Sequence, residues 1–127
     1  MQNLSTLLIL LIGFVACAMC EVSMVVQGLD HETLANFQHM PYTSDMSVRD
    51  LYIEASKLDH AFTYSEVPLQ GHYLLTRMLH LSLTPTHGWF YEVNGELTNE
   101  WVDVTKLKEN DHVRWYYARA GPELARQ

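Results

Sequence analysis

Cysteine is nearly missing from this chain of 127 residues: there are two, Cys17 and Cys20, and both lie near its start. No disulfide framework can therefore brace the remainder, and the fold has to be held by its core. Basic residues are scarce as well, with 8 Lys and Arg against 15 Asp and Glu and a net charge of -7. That balance argues against nucleic acid and against anionic membrane surfaces as partners. Signatures of catalysis are also lacking. There is no nucleophile elbow, phosphate loop or metal box, and Glu92, Glu96, Glu100, Asp103 and Asp111 scatter along turns. The 7 histidines form no H-x-H or H-E-x-x-H spacing. These absences point to a binding module that needs no cofactor, rather than to an enzyme.

Charge is absent altogether from Leu4 to Cys20. The run is strongly apolar from Leu7 to Val15 and then turns to Ala16, Cys17 and Ala18, the layout of a secretory signal peptide. A membrane anchor is the rival reading. The run is at the short end of the roughly 17–25 residues a spanning helix needs, and no basic flank comes after it. Residues 1–20 are thus expected to be a signal peptide, cleaved after Ala18 or after Cys20, which makes the protein secreted and extracellular. The second cut removes both cysteines, while the first leaves Cys20. The mature chain of roughly 100 residues is long enough for one domain with a real core. We expect that domain over 21–121, with a loose tail at 122–127.

Val22 to Leu29 is rich in β-branched residues and predicts a strand. Asp30 to Ser44 reads as a second strand or a loop. Ser47 to Leu58 is the clearest helix. Ser47 is a suitable N-cap, Asp50 suits the helix dipole, and Val48, Leu51, Tyr52, Ala55 and Leu58 form one apolar stripe. A strand over Ala61–Val67 is expected to stop before Pro68, and Tyr73–Leu83 to form a single strand between Gly71 and Pro85. Trp89–Val93 predicts a strand leading into Asn94-Gly95, the strongest short hairpin signal, and Val113–Ala118 a last strand. Strands, one helix, then more strands predict an α+β domain with the helix packed on one face of a mixed sheet.

Alternation then sorts the aromatics. Trp89, Tyr91, Val93, Val113, Trp115 and Tyr117 are expected under the helix, with Phe90 and Tyr116 on the open face. Trp101 comes after the hairpin and either plugs an end of the core or rims a site.

The run Gly88-Trp89-Phe90-Tyr91-Glu92-Val93-Asn94-Gly95, the later Lys106 to Val113, and Trp115-Tyr116-Tyr117 resemble the carboxy-terminal domain of the transcobalamin and intrinsic factor family. The resemblance covers most of Met46 to Tyr117. It implies a β-grasp, ubiquitin-like fold and a part in covering bound cobalamin. Asn110 stands where the family has Gly before Asp111, and Asn tolerates the left-handed backbone of that turn. Full carriers of the family also have a large helical-barrel domain, for which this chain has no room. The resemblance makes a corrinoid the implied small ligand, with Phe90 and Tyr116 stacking on it, Trp101 at its rim and His87 as the candidate cobalt ligand. The alternative is an extracellular domain that docks a protein or a glycan through the same face.

Overall fold

The computed structural model describes residues 20–120. The signal-peptide reading, Cys20 apart, and the tail at 122–127 lie outside the described residues. Among the described residues no helix is long and apolar enough to cross a membrane.

The strands, in chain order, are β1 (Glu21–Gln27), β2 (Thr33–Pro41), β3 (Tyr64–Leu69), β4 (His72–Met78), β5 (Leu81–Ser82), β6 (His87–Val93), β7 (Glu96–Thr98) and β8 (His112–Arg119). An α-helix, α1 (Val48–Leu58), lies between β2 and β3, and a single 3-10 turn (Leu29–His31) joins β1 to β2. A five-stranded sheet has the order β2-β1-β8-β6-β7. Its β1·β8 pair is parallel and its other pairs are antiparallel, so the sheet is mixed. The class is α+β, as expected.

Helix α1 starts where its sequence says it should. The Ser47 hydroxyl accepts from the Asp50 N–H at 3.1 Å, and the Asp50 carboxylate accepts from the Ser47 N–H at 2.9 Å, a reciprocal capping box. Val48, Leu51, Tyr52 and Ala55 are buried. They meet Val22, Met24 and Val26 of β1 and Val113 and Trp115 of β8 in one core. Tyr52 meets Trp115 edge-on, with ring centroids 6.1 Å apart. Tyr91 and Tyr117 are buried as expected, while Trp89 and Val93 are only partly buried against the core.

The structure corrects four details. Leu58, on the predicted stripe, is 57% exposed: it is the last residue of the helix, and the buried part of the stripe ends at Ala55. Strand β3 runs through Pro68. It lies at the edge of its sheet, where a proline without an N–H leaves no ladder bond unmade. Tyr73–Leu83 is not one strand: it folds back after Met78 as the β4–β5 hairpin, with Leu79 at φ 55. Finally, β3, β4 and β5 form a separate three-stranded sheet rather than joining the main one.

The Asn94-Gly95 turn forms as its sequence predicts, with φ of 52 and 83, and Asn110 takes its turn at φ 69. A Cβ added at Gly95 would meet nothing within 4 Å, so its cost is conformational alone. Gly95→Ala is expected to lower stability by about 1 kcal/mol without changing the fold, as read from urea unfolding.

Candidate functional site

Strand β7 is short. It pairs with β6 only from Tyr91↔Thr98 to Val93↔Glu96, so Phe90 and the residues before it have β8 on one side and no β7 partner on the other. The main sheet opens here toward β4, and a cavity of about 230 Å³ occupies the opening. Tyr73, Trp89, Phe90, Tyr91, Trp101 and Trp115 supply its aromatic lining. Leu74, Leu75 and Val102 add aliphatic surface, and Thr98, Asn99 and Glu100 the polar part. Because the cavity sits at the edge of β6, side chains from both faces of that strand reach it.

Two of its aromatic residues are held by acid–base pairs outside the lining. The Arg49 guanidinium lies 3.6 Å from the centre of the Tyr73 ring. Arg49 donates to both oxygens of Glu66, with its shortest contact at 2.7 Å, and the buried Tyr52 hydroxyl donates to the same carboxylate. This network joins α1 to β3 and β4. Its charges raise the Arg49 pKa through the Glu66 hydrogen bond, and burial followed by Glu66 raises that of Tyr52. On the other wall, the Trp101 ring stacks on His72, 5.1 Å apart and 10° from parallel. His72 Nδ1 donates to Asp103 at 2.7 Å, and the Tyr73 N–H donates to the other Asp103 oxygen at 3.2 Å.

Partial burial pushes the Asp103 carboxyl up, but the His72 and backbone hydrogen bonds outweigh it and hold the group below the usual aspartate range. A depressed folded-state pKa gives stability that is present above the unfolded value, about 3.9, and lost as pH falls through the folded one. Acidification below about pH 4 is therefore expected to release the Trp101 wall. The Trp101 indole N–H signal in an NMR pH titration should move there, and Asp103→Asn should abolish that step.

One residue of the lining also carries a hydrogen-bonding oddity. Trp115 is 2% exposed, and its Nε1–H has no hydrogen-bond partner among the described residues. The Trp89 indole and the Tyr91 phenol beside it are both paired. Trp89 Nε1–H donates to Leu81 O at 2.9 Å. The Tyr91 hydroxyl lies 2.9 Å from Glu100 O and 2.8 Å from Thr105 Oγ1, and Thr105 donates to the Glu100 carboxylate. Burial raises the Tyr91 pKa, so this phenol stays neutral as a donor.

The four residues singled out by sequence do not form one cluster. Phe90 and Tyr116 do stack, 5.7 Å apart and 27° from parallel, on the face of the main sheet away from α1. There Arg114 extends the stack. Its guanidinium lies 4.5 Å from the Tyr116 ring, and it donates to Glu92 at 2.6 and 3.2 Å and to Gln27 at 2.7 Å. Burial, then the Glu92 charge, raises the Tyr116 pKa. Trp101 and Phe90 line the cavity, and Tyr116 does not. His87 is separate from both. Alternation puts it on the Trp89 face, where it stacks on Tyr117 at 5.6 Å and its Nδ1 bonds Thr86 Oγ1 at 2.9 Å. A ligand stacked on Phe90 and Tyr116 would thus lie across the sheet from His87. The histidine beside the cavity is His72, which sequence reasoning did not single out, since its partner Asp103 is 31 positions away. No group of three or more His, Cys, Asp or Glu side chains among the described residues is placed to hold a metal ion.

Residues 79–119, from the β4–β5 turn through β8, match a family described as a domain of unknown function (DUF4430). No curated protein matches the sequence. Among solved structures, haptocorrin in complex with Cbi is similar, with a TM-score of 0.67 and 10% identity over 81% of this chain. The chain spans 26% of the haptocorrin chain, about a quarter of its length. A protein from Ruminococcus gnavus, described as a candidate metal-binding protein, is similar at a TM-score of 0.56 and 12% identity. That likeness covers 80% of this chain and 98% of the other. At such identities the likeness is one of fold.

Proposed function

We propose that this chain is a secreted, non-enzymatic binding module whose ligand site is the aromatic cavity between β4 and β6. The observation that carries the reading is the cavity itself: aromatic side chains converge on an opening where β6 lacks a partner strand, and a buried indole donor there has no partner. Secretion rests on the apolar run Leu7–Val15 followed by Ala16-Cys17-Ala18. The domain is proposed to span residues 21–121. A β-grasp fold is supported by the strand order β2-β1-β8-β6-β7, with a parallel central pair and a helix crossing between β2 and the later strands.

The implied ligand is a corrinoid, from the hairpin resemblance and from the likeness in fold to haptocorrin. The cavity volume, about 230 Å³, is below the roughly 300–1,000 Å³ that encloses a drug-sized ligand. A macrocycle would therefore insert only an edge, with the remainder lying outside between Trp101 and Phe90. The test is retention of aquocobalamin by purified mature protein on a desalting column, beside Trp101→Ala and the double variant Phe90→Ser/Tyr116→Ser. Retention by the wild type, reduced at least about tenfold in Trp101→Ala, is the expected result. The double variant is expected to stay folded, because both rings are on the face away from the core. No retention by any form would turn the reading toward a docking domain for a protein or a glycan.

A further inference from the structure

We infer that the cavity selects a flat, uncharged group bearing a hydrogen-bond acceptor, such as an amide carbonyl, and that Trp115 Nε1–H is the donor that reads it. The inference rests on the reading of the cavity as a binding site and names the chemistry that site prefers.

Three observations carry it. The first is the donor. Buried N–H groups in folded proteins are almost always paired, and an unpaired one destabilises the free state. Trp115 is among the most deeply buried large side chains, lies in the lining, and keeps its N–H unpaired. An acceptor brought to it removes a standing penalty, which makes the bond worth more than one made by an exposed group.

The second is charge. The donors near the walls are already committed: the Arg49 guanidinium to Glu66, and the His72 Nδ1–H to Asp103. Glu100 is the one carboxylic side chain among the described lining residues, and it accepts from Thr105. An anionic acceptor would face Glu100 with no opposing cation in the lining. A cationic ligand would leave the Trp115 donor unanswered, and the Arg49 guanidinium 3.6 Å from Tyr73 weakens that ring as a cation acceptor.

The third is shape. Indole and phenyl groups supply flat walls, and a planar amide offers both a face to stack and an oxygen in its plane. The Nε1 atom has no solvent contact in the free protein, so the acceptor reaches it through a shift of the side chains around it. The Tyr91 ring, tilted 42° to Trp115 at 4.9 Å, is one of the rings packed against it.

Four one-ring probes of similar size separate the chemistries: benzamide, benzoate, benzylammonium and toluene. Each is titrated into the ¹⁵N-labelled mature chain, reading the indole N–H signals. Benzamide is expected to shift the Trp115 signal downfield and to bind about tenfold tighter than toluene or either ion. Trp115→Phe should bind benzamide and toluene alike, with its fold checked by circular dichroism. If that variant does not fold, the wild-type Trp115 shift decides alone. A Trp115 signal unmoved at benzamide saturation overturns the inference, and so does a preference for benzylammonium or benzoate. Because the probes are independent of corrinoids, a failure to retain aquocobalamin leaves this outcome readable, and the converse also holds.

Discussion

Replacing Glu66 with Ala is expected to lower the unfolding free energy by about 3 kcal/mol, a large share of the roughly 5–15 kcal/mol that holds a domain folded. The reason is the number of groups that one carboxylate answers. Arg49 approaches it through Nε and Nη2, and the Tyr52 hydroxyl shares it. Both charged partners are mostly shielded, with side-chain exposures of 26% and 14%. Alanine leaves a guanidinium and a buried phenol without an acceptor, and stranded partners are what make such a deletion costly. Glu66→Gln keeps the shape and one carbonyl, so it should lose less. Urea unfolding of the two variants checks the order. Equal small losses would mean that solvent already answers Arg49 in the native state.

Leu51→Ala should cost about 3 kcal/mol, whereas Leu58→Ala, on the same helical stripe, should cost under about 0.5. Leu51 is fully buried and Leu58 is 57% exposed. Truncating the first leaves a cavity inside the packed core, and truncating the second removes a side chain that already meets water. Urea midpoints at constant slope distinguish the two. Similar losses at both positions would mean that the end of the helix is covered.

That pair of leucines also shows how far the sequence could be read. Local signals were reliable where the chemistry is local. Ser47 and Asp50 close a capping box within four residues, and Asn94-Gly95 needs only its own backbone preferences. Strand alternation sorted Tyr91, Trp115 and Tyr117 inward and Phe90 and Tyr116 outward, and the same parity puts His87 with Trp89. The three-and-four spacing could mark the stripe but not how far along it burial extends, so it could not separate Leu51 from Leu58. The β4–β5 hairpin was illegible because its left-handed residue is Leu79, a branched side chain where glycine or asparagine would be expected. The cavity was hidden for another reason. It is assembled from residues 73–75, 89–91, 98–102 and 115, and it exists because β7 stops short, which only the strand register reveals. The acid–base pairs supporting its walls, His72 with Asp103 and Arg49 with Glu66, join segments far apart in the chain and carry no motif.

On the proposed reading, a ligand enters through the opening between β4 and β6. The most direct measurement is a ¹H–¹⁵N correlation spectrum of the mature chain titrated with aquocobalamin. Progressive, saturable shifts are expected, concentrated on Tyr73, Phe90, Trp101 and the Trp115 indole, with little change at His87. Shifts absent at every concentration, or confined to the Arg114–Tyr116 face away from the cavity, would contradict it.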